Sequence, residues 1–246
     1  MDRLIRHYSS MSSVTYIKLL WEHMEKFPEI SVDFGHIDIQ FDLVFSSRDD
    51  LSDRFHPLPQ RSGCVIIADD DIYVTEKIVN AAIKLWSTHP SQIVGLFPRG
   101  HLVREQEYFY NAQPHVNFSM VLTKFMVLDA SFLEAYHKLL TSDMKDFIRE
   151  SRNCEDIGMN FVAANLTGMP PVYLEDGSKI DFGSESGIWK RAGHSQVRSR
   201  CMNLFRELAP SLPTSNSAHT MFGQTVFHGD SFIRANEEHA RDVFKW

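Results

Sequence analysis

The run Cys64-Val65-Ile66-Ile67-Ala68 constrains the fold more than any other stretch, because it is apolar without a break. A strand with one wet face alternates apolar and polar residues; a strand that does not alternate needs cover on both faces. A sheet sandwiched between helices supplies that cover. Strand-like and helix-like segments do alternate along the chain, which predicts an α/β fold with a central mixed sheet flanked by helices. Residues 15–21 and 37–45 read as strands, the second alternating through Ile37, Ile39 and Phe41. Thr75 is placed to cap a helix with Val79, Ala82, Ile83 and Trp86 on its apolar face, ended by His89-Pro90. Residues 93–97 and 118–128 read as further strands, and residues 131–140 and 144–149 as helices. Residues 100–117 are polar and aromatic without a clean period, so they are expected to form loop around an open site. Asn153 is placed to cap a helix over residues 155–165, buried through Ile157, Phe161 and Val162. Residues 195–208 form the cleanest amphipathic helix, with Val197, Cys201, Leu204, Phe205 and Leu208 on one face. Residues 214–246 carry mixed turn and helix signals. No internal repeat or low-complexity linker divides the chain.

The chemistry is expected at the end of the buried strand, where Asp69-Asp70-Asp71 follow directly. Adjacent carboxylates repel one another and need solvent, donors or a cation to compensate them. Open α/β sheets bind ligands just beyond the carboxyl ends of their strands. The run therefore suits a hard divalent cation held by one or two protein oxygens, with water and phosphate oxygens completing its shell. It suits equally an acidic turn, or the strand end of a phosphohydrolase or nuclease, and by itself identifies no reaction. A second acidic site is Asn153-Cys154-Glu155-Asp156, whose carboxylates could simply balance a helix dipole. A third is Gly193-His194 with Arg198 following, either an anion site at a helix start or an exposed salt-bridging arginine.

Composition removes some classes. The net charge of −7 with no basic run gives no nucleic-acid surface. The 12 histidines are scattered, without a Cys/His cluster of zinc spacing. No apolar stretch approaches the ~18–20 residues of a membrane helix. The basic start lacks the apolar core of a signal peptide. Three cysteines, Cys64, Cys154 and Cys201, read on composition as buried thiols. Asn117-Phe118-Ser119 and Asn165-Leu166-Thr167 are glycosylation acceptor patterns.

In order along the chain, six stretches resemble the family 64 domain of exostosins and of related plant and fungal glycosyltransferases. They are Leu51-Ser52-Asp53-Arg54-Phe55, Asp69-Asp70-Asp71, Val94-Gly95-Leu96-Phe97-Pro98-Arg99, Phe118-Ser119-Met120-Val121-Leu122-Thr123, Asn153-Cys154-Glu155-Asp156-Ile157-Gly158-Met159-Asn160-Phe161, and Gly193-His194 with Arg198, Cys201, Asn203 and Phe205. The resemblance covers residues 1–213, taken as the domain, with 214–246 as a C-terminal extension. It implies a GT-A nucleotide-sugar-binding fold and a retaining, Mn²⁺-dependent (or Mg²⁺-dependent) transferase. Asp69-Asp70-Asp71 would be its DxD-type motif, with Asp71 on the metal and Asp69 and Asp70 toward the ribose and donor sugar. Arg54 falls near the nucleotide, Asp156 matches the essential carboxylate at the sugar ring, and Arg198 the essential arginine at the diphosphate. Asn153 would bind donor, and Glu155 and His194 would line the same pocket. Cys154 and Cys201 match the family's disulfide, which requires an oxidising compartment such as the Golgi or endoplasmic reticulum lumen.

The function so implied is transfer of a sugar, an N-acetylhexosamine first, from a nucleotide-sugar donor to a glycan or glycolipid acceptor. Val121-Leu122-Thr123-Lys124-Phe125-Met126 looks closer to plant and fungal members, which adds GDP-mannose and inositolphosphoceramides as donor and acceptor. Two departures from the family's pattern stand out. A first strand ahead of the helix at residues 1–10 is missing, and Ser52-Asp53 replace the asparagine usual before Arg54. An inactive homologue that binds nucleotide or glycan is the alternative they motivate. Membrane association is expected only through a segment absent from this chain.

Overall fold

The computed structural model describes residues 2–22, 39–46, 49–58, 62–114, 117–175, 179–182, 190, 192–220 and 225–227. The architecture is mixed α/β, and the apolar run forms a strand of the central sheet: β3 (Cys64–Ala68) lies against β9 (Phe125–Asp129), Ile66 opposite Val127. It ends the described sheet, however, and is half-buried where the sequence predicts full burial. β9 continues the sheet to β5 (Val94–Gly95), β10 (Val172–Glu175), β12 (Ser217–Thr220) and β13 (Thr225–Phe227), in the order β13-β12-β10-β5-β9-β3. β10 runs parallel to both β5 and β12, and the other neighbours are antiparallel. Residues 217–220 and 225–227 therefore extend the central sheet.

Apolar clusters lie on both faces of this sheet. In β9, Phe125 and Val127 join one cluster while Met126 and Leu128 join the other, all four inaccessible to solvent. The first cluster is closed by α2 (Glu76–Thr88) through Ile78, Val79 and Ala82. The second is closed by α3 (Ser131–Leu139), α4 (Ser142–Ser151), α5 (Glu155–Thr167) and α6 (His194–Phe205). Each fully buried side chain of this size contributes about 1.5–3 kcal/mol of transfer free energy. Thr75 caps α2 as expected, its hydroxyl accepting the Ile78 N–H, and His89 ends it. α1 (Asp2–Ser9) packs Leu4 and Ile5 inward and donates the Tyr8 hydroxyl to the Ile72 carbonyl at 2.9 Å.

Three smaller sheets surround the centre. β1 (Tyr16–Trp21) pairs in parallel with β2 (Gln40–Phe45), Leu19 facing Leu43. Ile37 of the expected alternation lies outside the described residues. Among the described residues no strand joins β1 to β3, and both strands line one cleft. β4 (Ile72–Tyr73) pairs antiparallel with β11 (Ile180–Asp181).

The third small sheet corrects two expectations. Residues 100–111 are not loop: β6 (Pro98–Arg104) and β7 (Glu107–Asn111) form a hairpin, with Leu102 opposite Phe109, whereas residues 112–114 and 117 do lie outside any strand. Its two-residue turn uses Glu105 and Gln106 at φ of 50° and 68°, a conformation usually signalled by glycine or asparagine. Without that signal, the strands read as irregular. Residues 118–128 are not one strand either. β8 (Phe118–Val121) joins β6, then the chain turns at 122–124 and enters the central sheet as β9. Gly95 allows the two sheets to meet, since a Cβ there would lie 2.7 Å from the Val121 Cβ.

Candidate active site

β3 ends at Ala68 because the chain must turn back to form β4, and the three aspartates make that turn. The Asp69 N–H donates to the Lys124 carbonyl at 3.2 Å, and the Ile72 N–H to the Asp69 carbonyl at 3.3 Å. The turn opens onto a cleft of about 2070 Å³. Arg54, Asp69, Asp70, Asp71, Asn153, Glu155, Asp156, His194 and Arg198 all line it, so every non-cysteine residue singled out in the sequence is present.

Two ionic groups form the floor. In the first, Arg54 Nη1 donates to Asp69 Oδ1 at 2.8 Å and to Thr123 Oγ1 at 2.9 Å, and lies 3.7 Å from Glu155 Oε1. Thr123 Oγ1 in turn donates to Glu155 Oε1 at 3.3 Å. In the second, Arg198 Nη2 donates to Asp156 Oδ2 at 2.6 Å and Nη1 to Asn153 Oδ1 at 2.9 Å. The Arg198 guanidinium stacks 4.4 Å from the Tyr110 ring centroid, and Asn153 Nδ2 lies 3.2 Å from His194 Nδ1. Asp156 Oδ1 accepts the Ile157 N–H at 2.8 Å. The two groups are joined covalently through the Glu155–Asp156 peptide.

Arg198 is therefore not an exposed surface arginine; its side chain is 6% exposed and that of Asp156 5%. Nor does Asn153 cap α5. Cys154 is the cap residue, with φ of 78° and no side-chain cap bond, while Asn153 turns to Arg198 and His194. The Cys154–Cys201 disulfide ties the start of α5 to α6, with Cα atoms 6.3 Å apart. Cys64 stays a free thiol.

Burial, and then the neighbouring Asp156 charge, raise the Glu155 carboxyl above its ordinary value, against the pull of Arg54 and Arg198. The folded state thus favours protonated Glu155, and that contribution is lost as pH rises through the raised value. Glu155→Gln mimics the protonated form. It is expected to melt a few degrees above wild type at pH 7.5, with the difference vanishing toward pH 4; thermal denaturation at both pH values checks this.

Asp71 is raised to about 6, chiefly by burial and then by Asp69, Asp181 and Asp70, with Lys124 opposing. Its Oδ1 is buried without a hydrogen-bond partner, as are the Nε groups of Arg54 and Arg198. An unmet buried acceptor of this kind costs about 1–3 kcal/mol, and a ligand would relieve it. The donor set is hard carboxylate oxygen, and among the described residues no three acidic, His or Cys side chains converge as a closed metal cage. These residues fit a divalent cation that takes one oxygen from Asp71 and the rest from water and ligand. Thr123, Lys124, Tyr110 and Asp181 were not singled out for the site from the sequence, although all of them line the cleft. Only the position of Thr123-Lys124 between two apolar strands could have pointed to them.

Comparison with known proteins identifies the family. A family model described as the glycosyl transferase family 64 domain matches residues 1–227. Glycosylinositol phosphorylceramide mannosyl transferase 1 of Arabidopsis thaliana is 28% identical over 227 residues, covering 83% of this chain and 67% of that protein. Mouse exostosin-like 2 is 26% identical over 240 residues, covering 90% and 72%. Human exostosin-2 is 26% identical over 237 residues, covering 94% of this chain, which spans only 33% of that longer protein. Glycosyl transfer is the chemistry named by the family description and by the plant relative. A match of this extent, on a cleft of this make-up, means that the chain belongs to glycosyl transferase family 64.

Proposed function

We propose that the chain is a retaining glycosyltransferase of the GT-A type, moving a sugar from a nucleotide-sugar donor to a glycan or glycolipid acceptor. The observation that carries this reading is the set of unmet polar atoms in one cleft: an acceptor on Asp71 and donors on Arg54 and Arg198. Asp71 would hold Mn²⁺ or Mg²⁺. When bound, such a cation neutralises charge on a departing diphosphate as a Lewis acid.

The chain's own residues do the rest. Arg198 keeps its Nε–H without a partner after serving Asp156 and Asn153, and offers it to a phosphate oxygen. Both Asp156 oxygens are already hydrogen-bonded, so its carboxylate acts by charge, stabilising positive character at the sugar ring in the transition state. Asp69 and Asp70 contact the ribose and the sugar, with Arg54 holding Asp69 in place. The donor is a UDP-N-acetylhexosamine in the first reading. GDP-mannose is the second, favoured by the plant mannosyl transferase among the relatives. The fitting compartment is the Golgi or endoplasmic reticulum lumen, because the Cys154–Cys201 bridge persists under oxidising conditions. Among the described residues no helix is long and apolar enough to cross a membrane.

A screen of UDP- and GDP-sugars, with Mn²⁺ and with chelator, tests the reading. Nucleotide release from one donor is expected with metal, and loss of at least about 100-fold with chelator or in Asp71→Asn. Absence of metal-dependent turnover with every donor would overturn it. Nucleotide binding in that case would mark a non-catalytic homologue.

A further inference from the structure

The segment facing the aspartate turn is tied down in a way that the proposed reaction does not itself require. β11 pairs with β4, Ile180 opposite Tyr73 and Asp181 opposite Ile72, and the Phe182 N–H donates to the Asp71 carbonyl at 3.0 Å. Residues 180–182 thus form a strap across the chain immediately after the aspartates. The strap is also gripped from the central sheet: Lys124 Nζ donates to both Asp181 oxygens, each at 2.7 Å. The same lysine accepts the Asp69 N–H through its carbonyl. One residue therefore holds the first aspartate by main chain and the strap over the third by side chain.

The pair is sheltered, at 18% and 25% side-chain exposure, and Lys124 also stands 5.7 Å from the Phe97 ring centroid. A two-pronged, partly dry pair differs from the exposed Glu134–Lys138 pair, whose side chains are 60% and 69% exposed. Each partner balances the other's charge. Their geometry acts on backbone position. Asp71 lies where the strap and the turn meet, and its side-chain direction follows from the backbone that the Phe182 N–H fixes.

We propose that Lys124 and Asp181 form a latch that keeps the 180–182 strap on the aspartate turn and so positions Asp71 toward the donor. They are positioning residues, not catalytic ones. The donor half of this inference rests on the function proposed above; the latch itself does not.

The test uses Lys124→Met, Asp181→Asn, the double variant and Lys124→Arg in the full chain. Amide hydrogen exchange at Phe182, measured without donor, reads the latch directly. Exchange about 10-fold faster is expected in both single variants, with the double variant no faster than either and Lys124→Arg near wild type. Donor KM should rise about 10-fold with kcat within about 3-fold, as loss of uniform binding predicts. Unchanged Phe182 exchange in both single variants overturns the latch, whether or not the protein turns over any donor. A fall in kcat at constant KM in Lys124→Met overturns it too, by moving the lysine to the reacting atoms. If wild type turns over no donor while Phe182 exchange responds, the proposed function fails and the latch stands. Asp181→Asn preserves shape, so it decides the question if Lys124→Met does not fold.

Discussion

Asp156→Asn is expected to cut sugar transfer by about 10²–10³-fold and to destabilise the fold at the same time. The two effects have one source. Asp156 and Arg198 are 5% and 6% exposed and joined at 2.6 Å, so removing the carboxylate charge strands a guanidinium that burial already disfavours. Breaking such a pair costs about 3–5 kcal/mol, whereas replacing both partners by apolar groups of like volume can be nearly neutral. Arg198→Ala should be worse than Asp156→Asn in stability, because it also deletes the stack on Tyr110 and the bond to Asn153. The double variant Asp156→Leu/Arg198→Met separates the roles. Its melting temperature should recover part of the loss of either single variant, while transfer stays at background. If activity returned along with stability, the pair would be structural support and the site reading would fall. Thermal melts alongside donor turnover for the three variants settle the point.

Why this pair could be found in the sequence, and its neighbours could not, follows from what each signal consists of. The apolar run of β3 and the capping threonine of α2 are local, and local physics decides both. The aspartate turn is visible because a carboxylate run after an apolar strand needs solvent, donors or a cation to compensate it. Asp156 and Arg198 stood out in their own motifs but took their roles only by resemblance, since the same residues suit a helix dipole and a surface ion pair equally well. Tyr110 and Asp181 owe their place to tertiary pairing: one arrives on a hairpin whose turn lacks glycine, the other on a two-residue strand. Neither leaves a period to read. Asn153 is a case of competition. Its type favours capping, yet the buried Arg198 offers a charged donor at 2.9 Å, and a charge-assisted bond outweighs a neutral cap. The break at 122–124 was hidden for a related reason. Both flanking strands are apolar and buried, and the only mark of the passage from one sheet to another is the two-residue polar interruption Thr123-Lys124, shorter than a usual turn signal.

Removing the Cys154–Cys201 bridge by Cys154→Ser/Cys201→Ser is expected to lower the melting temperature by about 8–16 °C. The bond closes a loop of 47 residues, which in the chain-entropy model is worth about 4 kcal/mol. For a domain of this size each kcal/mol moves the midpoint by about 2–4 °C. A second contribution is backbone strain. The link from α4 to α5 places Arg152 at φ 47° and Cys154 at φ 78°, a region that costs a non-glycine residue about 1–2 kcal/mol. Cys154→Gly/Cys201→Ala should therefore melt higher than Cys154→Ala/Cys201→Ala, because glycine adopts the Cys154 backbone conformation without that cost. Activity should fall ahead of unfolding. Asp156 lies two residues beyond one half of the bridge and Arg198 three residues before the other, so the bond spans the elements that carry both groups proposed as catalytic. Loosening it lets α5 and α6 separate, and the 2.6 Å pair on which the floor of the cleft depends is the first contact to feel it. Turnover measured at 25 °C with and without reductant, well below the midpoint of the reduced protein, should show this directly. Full turnover in the reduced chain would mean that packing of α5 on α6 holds the pair unaided.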